Sequence, residues 1–364
     1  MTHAVYTKRQ ILGDRRCSRL SPIAAACALL AFKGTAAAAP NSDALLSVTV
    51  VSAETSFPLE NARIALEPMD RESLSNADGR AVFGALPAGR YHVRARRIGY
   101  VPSDTALTLA DGEQRQVRIV LVHAVVMLSA VRVVTYPPCR KPGLPDRLRQ
   151  PELADLLVQM RLNAEQFRFL LQSRPIEYTV QRTTGVTREQ SGSHDETTDT
   201  VLTILSRNGW RYRAGRVVTR DGDAKASREQ VMHLPKLDDL ASEEFLKNHC
   251  FFFAGRERME YGAAIRIDFR ASDRIRAPDV HGSVWLDSAT FMIRSESLEL
   301  SRIPRELRDV TSVRATTTFR EIGAGIPLFD TIDGVTTLRR GLSKDPVIEL
   351  TESQKLLHVR LTPS

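Results

Sequence analysis

Hydrophobic and polar positions alternate most clearly between residues 76 and 100. In a strand-like run over 91–98, Val93 and Ala95 fall on one side while Arg94 and Arg96 fall on the other. Leu86-Pro87-Ala88-Gly89 joins this run to another over 80–83, and Asp78-Gly79 and Gly99 supply turn chemistry at the outer ends. Similar runs occupy 45–51, 62–67, 105–109, 116–122 and 128–134. Short strands separated by turn residues at regular spacing predict a seven-stranded β-sandwich of the transthyretin or immunoglobulin kind.

The pattern changes after Tyr136-Pro137-Pro138 and Lys141-Pro142-Gly143-Leu144-Pro145, a stiff proline-rich linker. Leu153, Leu156, Leu157, Met160, Ala164, Phe167 and Leu171 then recur at three- and four-residue spacing, which predicts an amphipathic helix entered through Pro151. Glu152, Asp155 and Glu165 dilute the basic face of a membrane-surface helix, so core packing is the expectation. Longer runs follow at 176–183, 200–206, 210–219, 263–269, 282–286, 290–300, 312–321, 327–339 and 347–361. Residues 190–199 read as a polar loop, and 242–249 as a short helix capped by Ser242. The predicted fold class is mainly β: the sandwich, then an α+β domain with a curved antiparallel sheet and one helix across its concave face.

Composition adds a compartment. Residues 1–38 read as a signal peptide, with Lys8, Arg9, Arg15, Arg16 and Arg19 ahead of an apolar stretch over 23–32 and small residues at Ala36 to Ala39. Cleavage is expected after Ala38, because Pro40 makes a poor first residue. The apolar stretch is shorter than the roughly 20 residues a membrane span needs. Lipidation of Cys27, in Ala24-Ala25-Ala26-Cys27, is the alternative processing. Removing 1–38 lowers the formal net charge from +8 to +3. Basicity is therefore largely a targeting feature, and no nucleic-acid partner is expected. Arg90 to Arg97 is the remaining local concentration of charge and reads as a solvated strand face. Expected boundaries are 41–135 for the sandwich, 136–150 for the linker and 151–364 for the sheet domain. The mature chain keeps Cys139 and Cys250, which form either one disulfide of an oxidising compartment or two buried thiols.

Several separated elements resemble the carboxypeptidase regulatory-like domain. They are Val50 to Thr55, Pro58 to Ile64, Asn76-Ala77-Asp78-Gly79-Arg80, Leu86 to Tyr91 and Ile98-Gly99-Tyr100. Ser56-Phe57 departs from the glycine-containing turn of that family. The resemblance implies a transthyretin-like sandwich that acts as an accessory module without catalytic residues, common in exported bacterial envelope proteins. The 128–134 run would be its exit strand, and the chain lacks the many strands of a receptor barrel. Gly282 to Asp287 followed by Thr290 to Arg294 is similar to hairpins of lipoprotein-carrier folds. Cys139 and His249-Cys250-Phe251 also resemble a recurring pattern in uncharacterised regions behind the same domain, which favours a Cys139–Cys250 disulfide.

No sequence motif carries catalysis, a cofactor or a metal site. The histidines are scattered, and no His-Glu-x-x-His or Cys-x-x-Cys occurs. His249 and Cys250 are adjacent on a strand and so face opposite ways, which argues against a thiol–imidazole nucleophile. Ser193-His194-Asp195 cannot form a relay from consecutive loop residues. Asp238-Asp239 with Glu243-Glu244 reads as a solvated helix start. The expected role is a non-catalytic exported protein, periplasmic, outer-membrane associated or secreted. Its partner would be an envelope protein, polysaccharide, peptide or lipid, with an apolar ligand in the sheet as the specific form. The alternative is a hydrolase of envelope polymers or peptides using carboxylates such as Asp268, Asp287 and Glu296.

Overall fold

The computed structural model describes residues 43–126, 137–173, 176–205, 210–220, 230–323, 325–341 and 344–361. The expected signal segment over 1–38, with Cys27, and the 128–134 run lie outside the described residues.

Seven strands form two sheets at the amino-terminal end: β1 (Ala44–Ser52), β2 (Arg63–Glu67), β3 (Arg71–Leu74), β4 (Arg80–Leu86), β5 (Gly89–Arg96), β6 (Ser103–Leu109) and β7 (Gln114–Leu121). One sheet runs β4-β1-β7, with β1 and β7 parallel, and the other runs β3-β2-β5-β6. Leu46, Val48, Ile64, Leu66, Phe83 and Val93 share the core between them. The Tyr91 hydroxyl donates to the Pro87 carbonyl at 2.6 Å, which closes the Leu86-to-Gly89 turn. Gly79 has φ +71, and a Cβ there would collide with the Val50 carbonyl, so the Asp78-Gly79 corner requires glycine. β3 was not visible in the sequence. It is an edge strand whose Arg-Glu-Ser-Leu has no alternation to read.

Helix α1 (Pro151–Ser173) follows, then β8 (Ile176–Arg188), β9 (His194–Leu205), β10 (Val218–Arg220), β11 (Gln230–Met232), the short α2 (Glu243–Leu246) and β12 (His249–Met259). The remaining strands are β13 (Gly262–Ala271), β14 (Val280–Asp287), β15 (Ile293–Leu300), β16 (Val310–Gly323), β17 (Ile326–Leu338) and β18 (Val347–Leu361). Nine of them make one antiparallel sheet in the order β12-β13-β14-β15-β16-β17-β18-β8-β9. Leu156, Leu157, Met160 and Phe167 of α1 join Ile265, Ile267, Val284 and Leu298 of the sheet in a second core. Among the described residues no helix is long and apolar enough to cross a membrane.

The polar side of α1 is buried against the sandwich rather than exposed. Glu165 accepts from Arg63 at 2.7 Å and from Arg96 at 2.8 Å. Gln159 accepts from Gly99 N at 2.8 Å and donates to Tyr100 O at 3.2 Å, while Gln166 donates to Asn61 O at 3.1 Å. Asn163 donates to Phe291 O and accepts from Ile293 N, both at 2.9 Å, so it pins α1 to the β14–β15 connection. Ile98 and Ala124 of the sandwich end also enter the second core. Buried polar groups held this completely fix one geometry, because each would be costly to leave unpaired.

Three expectations are corrected. Residues 210–217 form turns, with only Val218–Arg220 in a strand, because Gly215 sits at φ +70 and Arg216 N bonds back to Arg213 O. The polar loop ends early, since β9 begins at His194. Cross-strand contacts hold it, with Thr183 and Thr198 hydroxyls 3.0 Å apart and Arg182 bound to Asp199 at 2.6 Å. The 290–300 strand starts at Ile293, because Asp287 takes the Ala289 and Thr290 amides into a turn and Phe291 has φ +56. β12 went unrecognised because Phe251-Phe252-Phe253 interrupts its alternation.

Candidate functional site

Three connections meet at one end of the nine-stranded sheet: residues 211–217, residues 272–279 between β13 and β14, and residues 301–309 between β15 and β16. Between them lies a groove of about 600 Å³. Ala214, Val218, Ile275, Ala277, Pro278 and Pro304 give its lining an aliphatic part, and Arg216, Thr219, Arg276 and Glu306 give it a polar one. Gly215 is part of the lining. Its φ of +70 and the 3.0 Å to Ala277 Cβ that a side chain there would meet show how closely the first two loops approach.

Loops 211–217, 272–279 and 301–309 carry eight arginines against four carboxylates, Asp273, Asp279, Glu306 and Asp309, and Asp279 is wholly buried. Arg211 pairs with Asp238 at 3.5 Å. Among the described residues Arg213, Arg216, Arg276, Arg302 and Arg305 make no ion pair, and all are exposed. The charge at 90–97 is different. Arg94 lies 3.1 Å from Asp104 and Arg96 is held by Glu165, so two of the four arginines in that run are neutralised.

A buried network holds the loops in place. Asp279 accepts from the Tyr212 hydroxyl at 2.9 Å, from Gly215 N at 2.8 Å and from Val280 N at 2.8 Å. Its own amide donates to Ser301 Oγ at 3.0 Å, and Ser301 N returns a bond to Asp279 O at 2.7 Å. One residue thus ties all three connections together, through its carboxylate and its backbone. Burial and the neighbouring Asp279 push the Tyr212 phenol well above its ordinary range, so it stays protonated and donates. Tyr212→Phe should therefore cost about 2 kcal/mol, the usual range for a hydrogen bond to a charged acceptor, read from urea unfolding.

His249 lies under the same network. It is fully buried, stacked on Phe245 with centroids 3.8 Å apart and edge-on to Phe269. Nδ1 lies 2.9 Å from Phe245 O and Nε2 lies 3.0 Å from Val280 O. Burial lowers its pKa, against the opposing pull of Asp279 and the two carbonyls. Cys250, next in sequence, faces the other way and is joined to Cys139, with Cα atoms 5.6 Å apart. The disulfide belongs to the same structure, since Cys139 O accepts from Asp273 N at 3.1 Å in the groove-bearing loop.

The carboxylates singled out in the sequence do not converge. Asp268 sits opposite Ser283 and bonds Arg266 at 2.6 Å, whereas Glu296 sits opposite Val284 and so faces the other side of the sheet. Asp287 closes the turn after β14. Glu296 is buried in the core, where one carboxyl oxygen has no hydrogen-bond partner. Burial, with a smaller contribution from Asp239, pushes its pKa up to about 8. Asp238 and Asp239 are buried too, not a solvated helix start. Asp239 accepts from Tyr212 N and Lys236 N, each at 3.0 Å, and so braces the first groove loop. Ser242 caps α2 by accepting from Phe245 N at 3.1 Å, leaving Glu243 and Glu244 in its first turn. His194 of Ser193-His194-Asp195 contacts Glu196 at 2.8 Å and Thr187 at 2.9 Å. Among the described residues no group of three or more His, Cys, Asp or Glu is placed to hold a metal ion.

Residues 46–122 match the carboxypeptidase regulatory-like domain. The match spans β1 to β7 and agrees with the two-sheet architecture. No curated protein matches the chain. Solved structures similar to it include the minor pilin GBS52 of Streptococcus agalactiae, at 18% identity over 25% of this chain and 49% of that one, with a TM-score of 0.22. This chain thus spans about half the length of that pilin. A DUF1329 family protein from Desulfovibrio piger is 11% identical over 57% of this chain and 90% of its own, with a TM-score of 0.29. A putative outer membrane lipoprotein-sorting protein domain from Vibrio parahaemolyticus is 10% identical over 55% and 93%, with a TM-score of 0.27.

Proposed function

We propose that this chain is a non-catalytic exported envelope protein whose sandwich is an interaction or spacer module and whose sheet unit binds a ligand at its loop end. The proposed division is a signal over 1–38, the sandwich over 41–135, a linker over 136–150 and the sheet unit over 151–364. The observation that carries the reading is the groove. It is open, lined by aliphatic and charged side chains together, and held by a fully bonded buried carboxylate and a disulfide, as a preorganised binding site requires. An oxidising compartment suits the disulfide, and the amino-terminal segment suits export to the periplasm or outer membrane. The sheet face first expected to take an apolar ligand is packed by α1, which moves the favoured site to the loops.

The test is a panel of envelope components, comprising peptidoglycan fragments, phospholipids, lipopolysaccharide and peptides, offered to the purified mature chain. Melting temperature and product formation are followed together. At least one component should raise the melting temperature without being turned over. Turnover of a component would reject the non-catalytic reading, and a panel with no shift would reject the binding reading.

A further inference from the structure

The chemistry of the loop-end groove narrows its ligand, on the premise that the groove is a binding site. Its lining is mixed. Ile275, Pro278 and Pro304 form an aliphatic part of its lining, while Arg216 and Arg276 enter from separate loops. Arg302 reaches the same place, since its Nη1 donates to Arg276 O at 3.0 Å, and Arg213 accepts the Arg216 amide in the adjoining turn. None of these four guanidinium groups has a carboxylate partner among the described residues. Glu306 is the one carboxylate lining the groove, so positive charge dominates the wall.

A guanidinium offers five donors in a planar fork, and a single fork engages both oxygens of a carboxylate at once. Arginines arriving from several loops are better used by a tetrahedral anion with three free oxygens, which accepts from more than one fork at a time. A free phosphate would leave the aliphatic part of the lining idle. About 600 Å³ is also far more than one anion fills, and lies within the range that organic ligands occupy.

We propose that the groove binds a phosphorylated amphiphile, with Arg216 and Arg276 clamping the phosphate and the aliphatic part of the lining covering the adjoining hydrocarbon. The phosphate would lie at the rim, and Asp279 would hold the loops without touching the ligand. Binding should weaken with rising ionic strength, because the clamp is exposed and screened. The hydrocarbon contribution should persist.

Calorimetric titration of the mature chain with four probes tests this, each below its micelle concentration: octyl phosphate, octanoate, octyl glucoside and inorganic phosphate. Octyl phosphate should bind at least about tenfold more tightly than each of the others. Arg216→Glu and Arg276→Glu should each weaken octyl phosphate by roughly tenfold. Arg90→Glu, on the sandwich, should leave it unchanged. Both groove arginines are exposed, and an unchanged melting temperature in each variant confirms that the fold is intact. Inorganic phosphate binding as tightly as octyl phosphate would overturn the amphiphile, and octyl glucoside or octanoate doing so would overturn the phosphate clamp. Retained octyl phosphate binding in the double charge reversal would place the site elsewhere. If a neutral component of the wider panel binds and octyl phosphate does not, this inference fails while the binding function stands. Silence from every probe and panel component removes both.

Discussion

Replacing Cys139 and Cys250 together by alanine should lower the stability of the protein by about 4–5 kcal/mol, the loop-closure entropy of a bridge this long. The two residues are 111 apart in sequence, so the bridge removes many conformations from the unfolded chain. Native contacts are ready to receive it. Gly143 N bonds His249 O at 2.9 Å, Ser272 N bonds Asn248 O at 2.8 Å and Asp273 N bonds Cys139 O at 3.1 Å, so the segment around Cys139 is laced to β12 and to the groove loop. The effect is therefore twofold. The urea midpoint of the oxidised wild type should fall on adding reductant to that of the double variant, which reductant should not move. The groove loop should also exchange its amide hydrogens faster in the variant. A midpoint indifferent to reductant would reject the bridge as a stabilising element.

Much of this architecture could be read directly from residue order. Tyr91, Val93 and Ala95 alternate with charged neighbours, and the Asp78-Gly79 and Pro87-Gly89 corners have local chemistry strong enough to fix the hairpin. The α1 stripe, the Ser242 cap and most strands of the large sheet were equally plain. Local pattern failed where tertiary context decides. β3 and the start of β9 are edge segments with polar faces, and β12 opens with consecutive aromatics. Gln159 and Gln166 are buried against the sandwich and Asn163 against the β14–β15 connection, contacts that the spacing of apolar residues along α1 does not reveal.

The groove was harder still. Arg211-x-Arg213-x-x-Arg216, Arg274-x-Arg276 and Arg302-x-x-Arg305 are each unremarkable and lie tens of residues apart, so only the return of antiparallel strands to one end assembles them. Charge density along the chain pointed instead to 90–97, where carboxylates on β2, β6 and α1 pair with Arg94 and Arg96. Asp279 had a signal that went unused: a lone carboxylate directly before the apolar strand beginning at Val280 is a candidate for burial. Glu296 carried one as well, because it shares parity with Leu298 and Leu300 on β15.

That parity underlies the second large effect. Glu296→Gln should make the protein more stable at neutral and alkaline pH, and should flatten its pH dependence. In the unfolded chain the Glu296 carboxyl ionises near 4.5, whereas in the folded protein burial and Asp239 push its pKa up to about 8. Below the lower value both states are protonated and the group makes no difference. Between the two values the folded state holds a proton that the unfolded state has lost, so stability falls by about 1.4 kcal/mol per pH unit as pH rises. Above the upper value the loss is complete, on the order of 4–5 kcal/mol from this one group. Glutamine stays neutral in both states and does not incur it. Its amide inherits the unpartnered position of Glu296 Oε1, which costs roughly 1–2 kcal/mol at every pH. The variant should therefore be slightly less stable than wild type at pH 4, cross it near pH 5–6, and exceed it by about 2–3 kcal/mol at pH 9. Urea unfolding at pH 4, 6, 7.5 and 9 measures the whole curve. Parallel wild-type and variant profiles would mean that Glu296 ionises inside the fold as freely as outside it, and that the interior beneath β15 is open to water.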